Sequence, residues 1–259
     1  MKKIKLAVWK FSSCDGCQLS ILDCEDELLE IAASVEIAYF PEATRASSPG
    51  PYDLSLVEGS ISTPDEAVKI QKIRRQSKVL VALGACATDG GIQGLRNFAN
   101  AGEWAAKVYE HPEWLEFLEK STPLHHHIFV DYELRGCPVS KAQLVEVLSA
   151  LIAGRKPFLP SGSVCHECKM RGTSCLMVAQ GIPCLGPVTH AGCGALCPSF
   201  GRGCYGCFGA SVGANVEAMR TELDRLKVPK RDQVRLLRQI TSNAEPFRNA
   251  ANAILETTR

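Results

Sequence analysis

The chain predicts an α/β protein: a flavodoxin-like, doubly wound parallel sheet, then a Cys-rich and mostly irregular segment, then C-terminal helices. Three observations carry this. Up to about residue 155, short apolar runs alternate with stretches of helical periodicity. From residue 157 the composition turns to Cys, Gly and Pro. From residue 213 it turns to charged sequence with helical spacing. The boundary falls at 156/157, giving one domain over residues 1–156 and a second over 157–259. At 259 residues, 46% of them hydrophobic, the chain has ample material for a globular core, and its length allows one or two domains.

IKLAVW (4–9) reads as a buried strand. Residues 18–34 place Leu19, Leu22, Leu28, Leu29 and Ile31 at helical spacing. VEIAYF (35–40) is a second strand, followed by a loop rich in Pro, Gly and Ser. LSLVEGSI (54–61) is a third strand. Thr63-Pro64-Asp65-Glu66 then opens a helix, with Pro in the first turn and acids at the positive end of the dipole. KVLVALGAC (78–86) is a fourth strand, and HIFVDYEL (127–134) a fifth. A helix over 140–153 buries Leu144, Val147, Leu148 and Leu151. Strand alternating with helix implies parallel pairing through right-handed crossovers. The tail beyond 213 breaks at Val228-Pro229 and reads as a solvated or partner-facing helical layer.

Cysteine is the anomaly. There are 13, an odd number. The N-terminus shows no export signal and no segment has an uninterrupted span of membrane length. Disulfides are therefore the poorer reading and metal-binding thiolates the better one. Cys14, Cys17, Cys86 and Cys137 each follow directly on a predicted strand. In open α/β sheets ligands sit beyond the carboxyl ends of the strands. These four cysteines, remote in sequence, thus map to one sheet edge and form a candidate four-thiolate site. Cys24 lies mid-helix without a partner at useful spacing and reads as packing. The other eight fall between 165 and 207, enough for two further sites. Sequence order divides them into Cys165, Cys168, Cys175 and Cys184, and Cys193, Cys197, Cys204 and Cys207. Spacing does not distinguish this from an interleaved division.

Four thiolates suit either zinc or a [4Fe–4S] cubane. The irregular ligand spacing, and the prolines after Cys137 and Cys197, favour iron–sulfur. Several clusters in one chain would make a one-electron relay. His125, His126 and His127 read as a solvated loop, and His166 as a polar turn residue beside Cys165. Glu58 ends a strand beside the first site, as a loop cap or as a proton-path or interface group. A net charge of +1 gives no footprint for nucleic acid. No G-x-G-x-x-G follows a strand, Gly84-Ala85 and Gly90-Gly91 are too sparse for a phosphate loop, and no Ser/His/Asp or paired-carboxylate arrangement stands out.

SSCDGCQLS after the first strand, VEGSIS, GACAT, GCP and then CLGPVTHAGCGALCPSFGRGCYGC together resemble the small subunit of [NiFe] hydrogenases. The similarity runs to about residue 210 and is greatest to the cytoplasmic group-3 enzymes, especially the delta subunit of sulfhydrogenase-type, NADP-linked hydrogenases. The resemblance implies three [4Fe–4S] clusters in a row. Cys14, Cys17, Cys86 and Cys137 match the proximal ligands, Cys193, Cys197, Cys204 and Cys207 the medial ones, and Cys165, Cys168, Cys175 and Cys184 the distal ones. Exported members carry His in the first distal position, where this chain has Cys165. Many have Pro at a medial position, where this chain has Cys197. The stretch between Cys168 and Cys184 is shorter than theirs. The resemblance also implies a cytoplasmic electron-transfer subunit without catalytic residues of its own. Its partners would be a large subunit holding the Ni–Fe site and flavin/iron–sulfur subunits linked to NAD(P), with no nucleic acid and no membrane span. Alternatives are the small subunit of a deazaflavin-reducing or formate-hydrogenlyase-type complex and, from another class, a zinc-stabilised scaffold.

Overall fold

The computed structural model describes residues 3–25, 27 and 34–257. The chain divides into two compact units, Met1–Phe158 and Leu159–Arg259.

Unit 1 is built on a five-stranded sheet: β1 (Ile4–Lys10), β2 (Val35–Tyr39), β3 (Tyr52–Glu58), β4 (Ser77–Leu83) and β5 (Tyr132–Leu134). The order is β2-β1-β3-β4-β5 and every pair is parallel, which is the flavodoxin-like topology. The central strands read as continuous apolar runs because both faces are covered. Val8, Leu56, Val57, Leu80, Val81 and Leu83 are all fully buried. Each such side chain contributes roughly 1.5–3 kcal/mol of transfer free energy. Trp9 stacks on Tyr39 at 4.0 Å between centroids and donates its indole N–H to Ser55 Oγ at 3.2 Å, so its polar atom is not stranded.

The register sets up the site. Lys10 pairs with Glu58, Glu58 with Leu83, and Leu83 with Leu134. The carboxyl ends of four strands therefore form one row, and the chain leaving each end enters the same space. Helix α1 (Gly16–Leu22) follows β1, α2 (Pro64–Gln76) follows β3, α3 (Gly84–Asp89) follows β4, and α4 (Ala101–Val108) precedes β5. Helix α5 (Lys141–Ile152) closes the unit and buries Leu144, Val147 and Leu148. The start of α2 is a complete capping box: Thr63 Oγ1 accepts the Glu66 N–H at 3.2 Å, and the Glu66 carboxylate accepts the Thr63 N–H at 3.1 Å.

Four boundaries differ from the sequence expectation. β3 stops at Glu58 because Gly59 turns the backbone to φ +101°. Ser60 and Ile61 then make single antiparallel bridges to Ser12 and Thr122. β4 stops at Leu83 because Gly84, at φ +78°, starts α3, so Cys86 lies in the first turn of a helix. β5 spans three residues instead of eight: at its start the Asp131 carboxylate takes the Leu80 N–H at 2.8 Å, replacing a ladder bond at the sheet edge. Helix α1 begins at Gly16, and residues 26 and 28–33 of the expected 18–34 helix lie outside the described residues.

Unit 2 contains short helices first: α6 (Val164–Met170), α7 (Leu176–Gln180) and α8 (Leu196–Ser199). Then come α9 (Val216–Arg225), α10 (Lys230–Leu237) and α11 (Glu245–Thr257). The expectation of a solvated or partner-facing tail is corrected. Leu223, Leu237, Phe247, Ala251 and Ile254 are buried and pack with Leu185 and Val188 from the Cys-rich segment. The charged residues lie on the opposite faces, and the apolar stripe of these helices supplies the core that the Cys-rich segment lacks.

Candidate metal centres

The first centre grows from the row of strand ends in unit 1. After β1 the chain turns at Asp15, whose backbone is left-handed (φ +68°) and whose carboxylate is held by Lys10 Nζ at 2.6 Å. That turn brings Cys14 and Cys17 to the start of α1. The N-terminal amides of α1 have no intrahelical acceptors. Glu58, at the end of β3 and 1% exposed, supplies them: its two carboxylate oxygens accept the N–H groups of Cys17 and Gln18, each at 3.1 Å. Glu58 is thus a buried clamp that joins two strand ends. Burial pushes its carboxyl up from the usual range, and the two amide donors pull it back.

Cys86 enters from α3 and Cys137 from the loop after β5. The Ala85 N–H donates to Gly136 O at 2.7 Å, tying these two segments together. A second tie lies behind them: Arg135 pairs with Asp89 at 3.3 Å and with Glu133 at 2.7 Å. The backbone approaches the sulfurs closely. A Cβ on Gly84 would collide with Cys17 Sγ, and one on Gly91 (φ +61°) would lie 2.5 Å from Cys86 Sγ. On the other side, a Cβ on Gly16 would sit 3.4 Å from Cys14 Sγ and 3.8 Å from Pro138. All four cysteines of this centre are free thiols: Cys17 is buried, Cys86 half-buried, and Cys14 and Cys137 are exposed.

Electrostatics report the same convergence. Burial pushes the Cys86 thiol up to about 11, and charge on Cys137, Cys14 and Glu58 acts in the same direction, against the Gln93 side chain. Cys17 is driven up further, by burial first and then by the Glu58 charge. Without a counter-charge such thiols keep their protons. A bound cation or metal cluster would reverse that, because metal coordination exchanges the proton for the metal. The donor set and the glycine cradle therefore fit a thiolate-bound metal group.

Unit 2 brings together the first set of its cysteines. Cys165 and Cys168 lie one turn apart on α6, Cys175 caps α7, and Cys184 follows. A Cβ on Gly186 would touch Cys184 Sγ at 3.3 Å and Cys165 Sγ at 3.5 Å. Burial pushes Cys165 up to about 11, with charge on Cys184, Cys168 and Cys175 adding to it. Cys184 Sγ accepts the N–H groups of Cys204 and Gly186, at 3.1 and 3.4 Å. In the second set Cys193 feels charge on Cys197, whereas Cys204 feels charge on Cys184 of the first set before that on Cys207. Cys193 and Cys204 share a buried patch with Val164 and Ala195. Burial pushes Cys204 up to about 12.

Other candidates resolve plainly. Cys24 is buried, and its thiol donates to Ser20 O at 3.3 Å, a packing role. His127 Nε2 is 2.7 Å from Thr122 Oγ1 and His125 Nδ1 is 3.8 Å from Glu133. His166 is exposed. Among the described residues, no three His, Cys, Asp or Glu side chains gather closely enough to hold a single metal ion. The thiols interact through their charges without closing to the spacing that a structural zinc ion requires. Glu167, Gln93 and the Asp89–Arg135 pair were not singled out by the sequence. Glu167 looks like a spacer inside Cys165-x-x-Cys168, and only the folded chain shows its partners.

A family described as NADH ubiquinone oxidoreductase, 20 Kd subunit, matches residues 14–151. Sulfhydrogenase 2 subunit delta of Pyrococcus furiosus is 37% identical over 91% of this chain and 98% of that protein. A vhu-type subunit of the F420-non-reducing hydrogenase of Methanocaldococcus jannaschii is 33% identical over 92% of this chain and 94% of its own. Among solved structures, a chain of an NAD+-reducing [NiFe]-hydrogenase in the H2-reduced state superposes with a TM-score of 0.58 at 31% identity. That match covers 61% of this chain and 96% of the other.

Proposed function

This chain belongs to the NADH ubiquinone oxidoreductase 20 kDa subunit family and, within it, to the small subunits of [NiFe] hydrogenases, and we propose that it relays electrons through three [4Fe–4S] clusters. Cys14, Cys17, Cys86 and Cys137 hold the proximal cluster. Cys193, Cys197, Cys204 and Cys207 hold the medial one, and Cys165, Cys168, Cys175 and Cys184 the distal one. The observation that carries the reading is the first centre: cysteines after three strand ends converge, with Gly16, Gly84 and Gly91 against the sulfurs of Cys14, Cys17 and Cys86, and with charge on Cys137 and Cys14 acting on Cys86. When bound, such clusters supply one-electron reduction and re-oxidation.

The chain's own residues make that chemistry selective. Glu58 fixes Cys17 by its backbone, so the sulfur meets the cradle in one orientation. Gly84 and Gly91 let the backbone approach the sulfurs of Cys17 and Cys86, the two more buried thiols of the site, while Cys14 and Cys137 stay exposed. The N–H groups of Gly186 and Cys204 donate to Cys184 Sγ, and that of Gly206 to Cys204 Sγ at 3.4 Å. Such bonds stabilise negative sulfur and tune its potential. The partners in this reading are a large subunit carrying the Ni–Fe site and flavin/iron–sulfur subunits linked to NAD(P), in the cytoplasm. The NAD+-reducing solved relative supports that acceptor. No helix among the described residues is long and apolar enough to cross a membrane.

The test is purification without oxygen, together with the large subunit. Hydrogen gas should bleach the brown cluster absorbance of the complex, and dithionite alone should bleach that of the isolated chain. A colourless protein, or one that dithionite bleaches but hydrogen leaves unchanged in the complex, contradicts the reading.

A further inference from the structure

Residues 192–195 of unit 2 pose a backbone problem. Gly192, Gly194 and Ala195 all have positive φ, at 137°, 63° and 54°. A chain in these conformations cannot continue a helix or a strand, so its N–H groups need acceptors from elsewhere. Both outer donors find the same one: Glu167 Oε1 accepts the Gly192 N–H at 2.8 Å and Oε2 accepts the Ala195 N–H at 3.3 Å. Between them lies Cys193, whose Sγ is 3.8 Å from Glu167 Oε2. Arg171, at the end of the same helix α6, donates to Gly194 O at 2.6 Å. Helix α6 carries Cys165 and Cys168 and grips the Cys193 loop on both sides of the sulfur.

We propose that Glu167 is a positioning residue shared by two cysteine sets: its carboxylate holds the Cys193 loop against the Cys165–Cys168 helix and sets a negative charge beside the Cys193 sulfur. This rests on the cluster reading above. A neutral amide side chain, with one acceptor oxygen, keeps only one of these two N–H bonds and braces the loop less firmly than the carboxylate. The charge acts on what Cys193 holds and more weakly on what Cys168 holds, because a carboxylate close to a cluster opposes the arrival of an electron. Glu167 therefore lowers the reduction potential of the cluster bound by Cys193 relative to the same site with a neutral side chain.

The experiment is a redox titration, followed by electron paramagnetic resonance and iron analysis, of the complex as purified, with Glu167 intact and as Glu167→Gln. The amide oxygen of that variant still accepts the Gly192 N–H, and the Arg171 bond to Gly194 O remains, although the Ala195 N–H loses its acceptor; these two bonds hold the loop, so iron content should not change. The cluster at Cys193 should become easier to reduce by about tenfold in its equilibrium constant, ~59 mV for one electron, the cluster at Cys168 should move less in the same direction, and the unit 1 cluster should stay in place. Unchanged potentials, a shift to lower potential, or an equal shift of every cluster would overturn the proposal. Loss of iron from Glu167→Gln would overturn it too, since the charge would then be needed merely to hold the loop. A wild-type complex with no iron at all would instead contradict the cluster reading.

Discussion

The two units arrive at cysteine centres by opposite routes. In unit 1 the thiols hang from a sheet whose strength lies elsewhere: Val8, Leu56, Leu80 and Leu83 are buried, and the parallel register of β1, β3, β4 and β5 aligns their ends. The centre borrows a place that the fold has already made. In unit 2 the segment from 164 to 207 has only short helices and many left-handed turns, and its cysteines lie on those helices and in the loops between them. Its apolar support is the layer of α9 to α11. A centre can thus be added to a core, or it can stand in for one.

The largest effect is expected from removing the proposed clusters. Anaerobic chelation should leave the amides of β3 and β4 protected from hydrogen exchange. Those between 164 and 207 should exchange faster by about a hundredfold or more, because metal-binding free energy there is folding free energy. Equal loss in both units would mean that the sheet also depends on its cluster. A smaller effect is expected from the helical layer. Phe247→Ala removes a side chain that is 1% exposed from the unit 2 core and should cost roughly 3–5 kcal/mol in denaturant unfolding, without moving the unit 1 transition. The smallest is local. Glu58→Ala strands the Cys17 and Gln18 N–H groups and should cost about 1–3 kcal/mol, read in the unit 1 transition of the metal-free chain. A shift of the unit 2 transition instead would contradict a Glu58 clamp that acts within unit 1.

Much of unit 1 was legible in the sequence because its rules are local and repetitive. Fully buried strands leave unbroken apolar runs, Thr63-Pro64-Asp65-Glu66 spells out a helix start, and cysteines at strand ends point to one edge. What was not legible depends on backbone turns and on partners remote in sequence. Gly84 looks like the continuation of a strand, yet its φ of +78° moves Cys86 into a helix. The apolar residues 128–130 read as strand, but at the sheet edge Asp131 ends the ladder with its side chain. Glu167 reads as filler between two cysteines and proves to serve a third. The tail reads as charged, and its buried stripe appears only once Leu185 and Val188 are there to meet it.

The most direct measurement is iron and sulfide per chain, in the wild type and with one cysteine removed from each set: Cys86→Ser, Cys184→Ser and Cys207→Ser. Three cubanes predict about 12 Fe in the wild type and about 8 in each variant, with a different cluster signal lost each time. About 4 Fe in the wild type, or two variants losing the same signal, would contradict the assignment of these thiols to three separate centres.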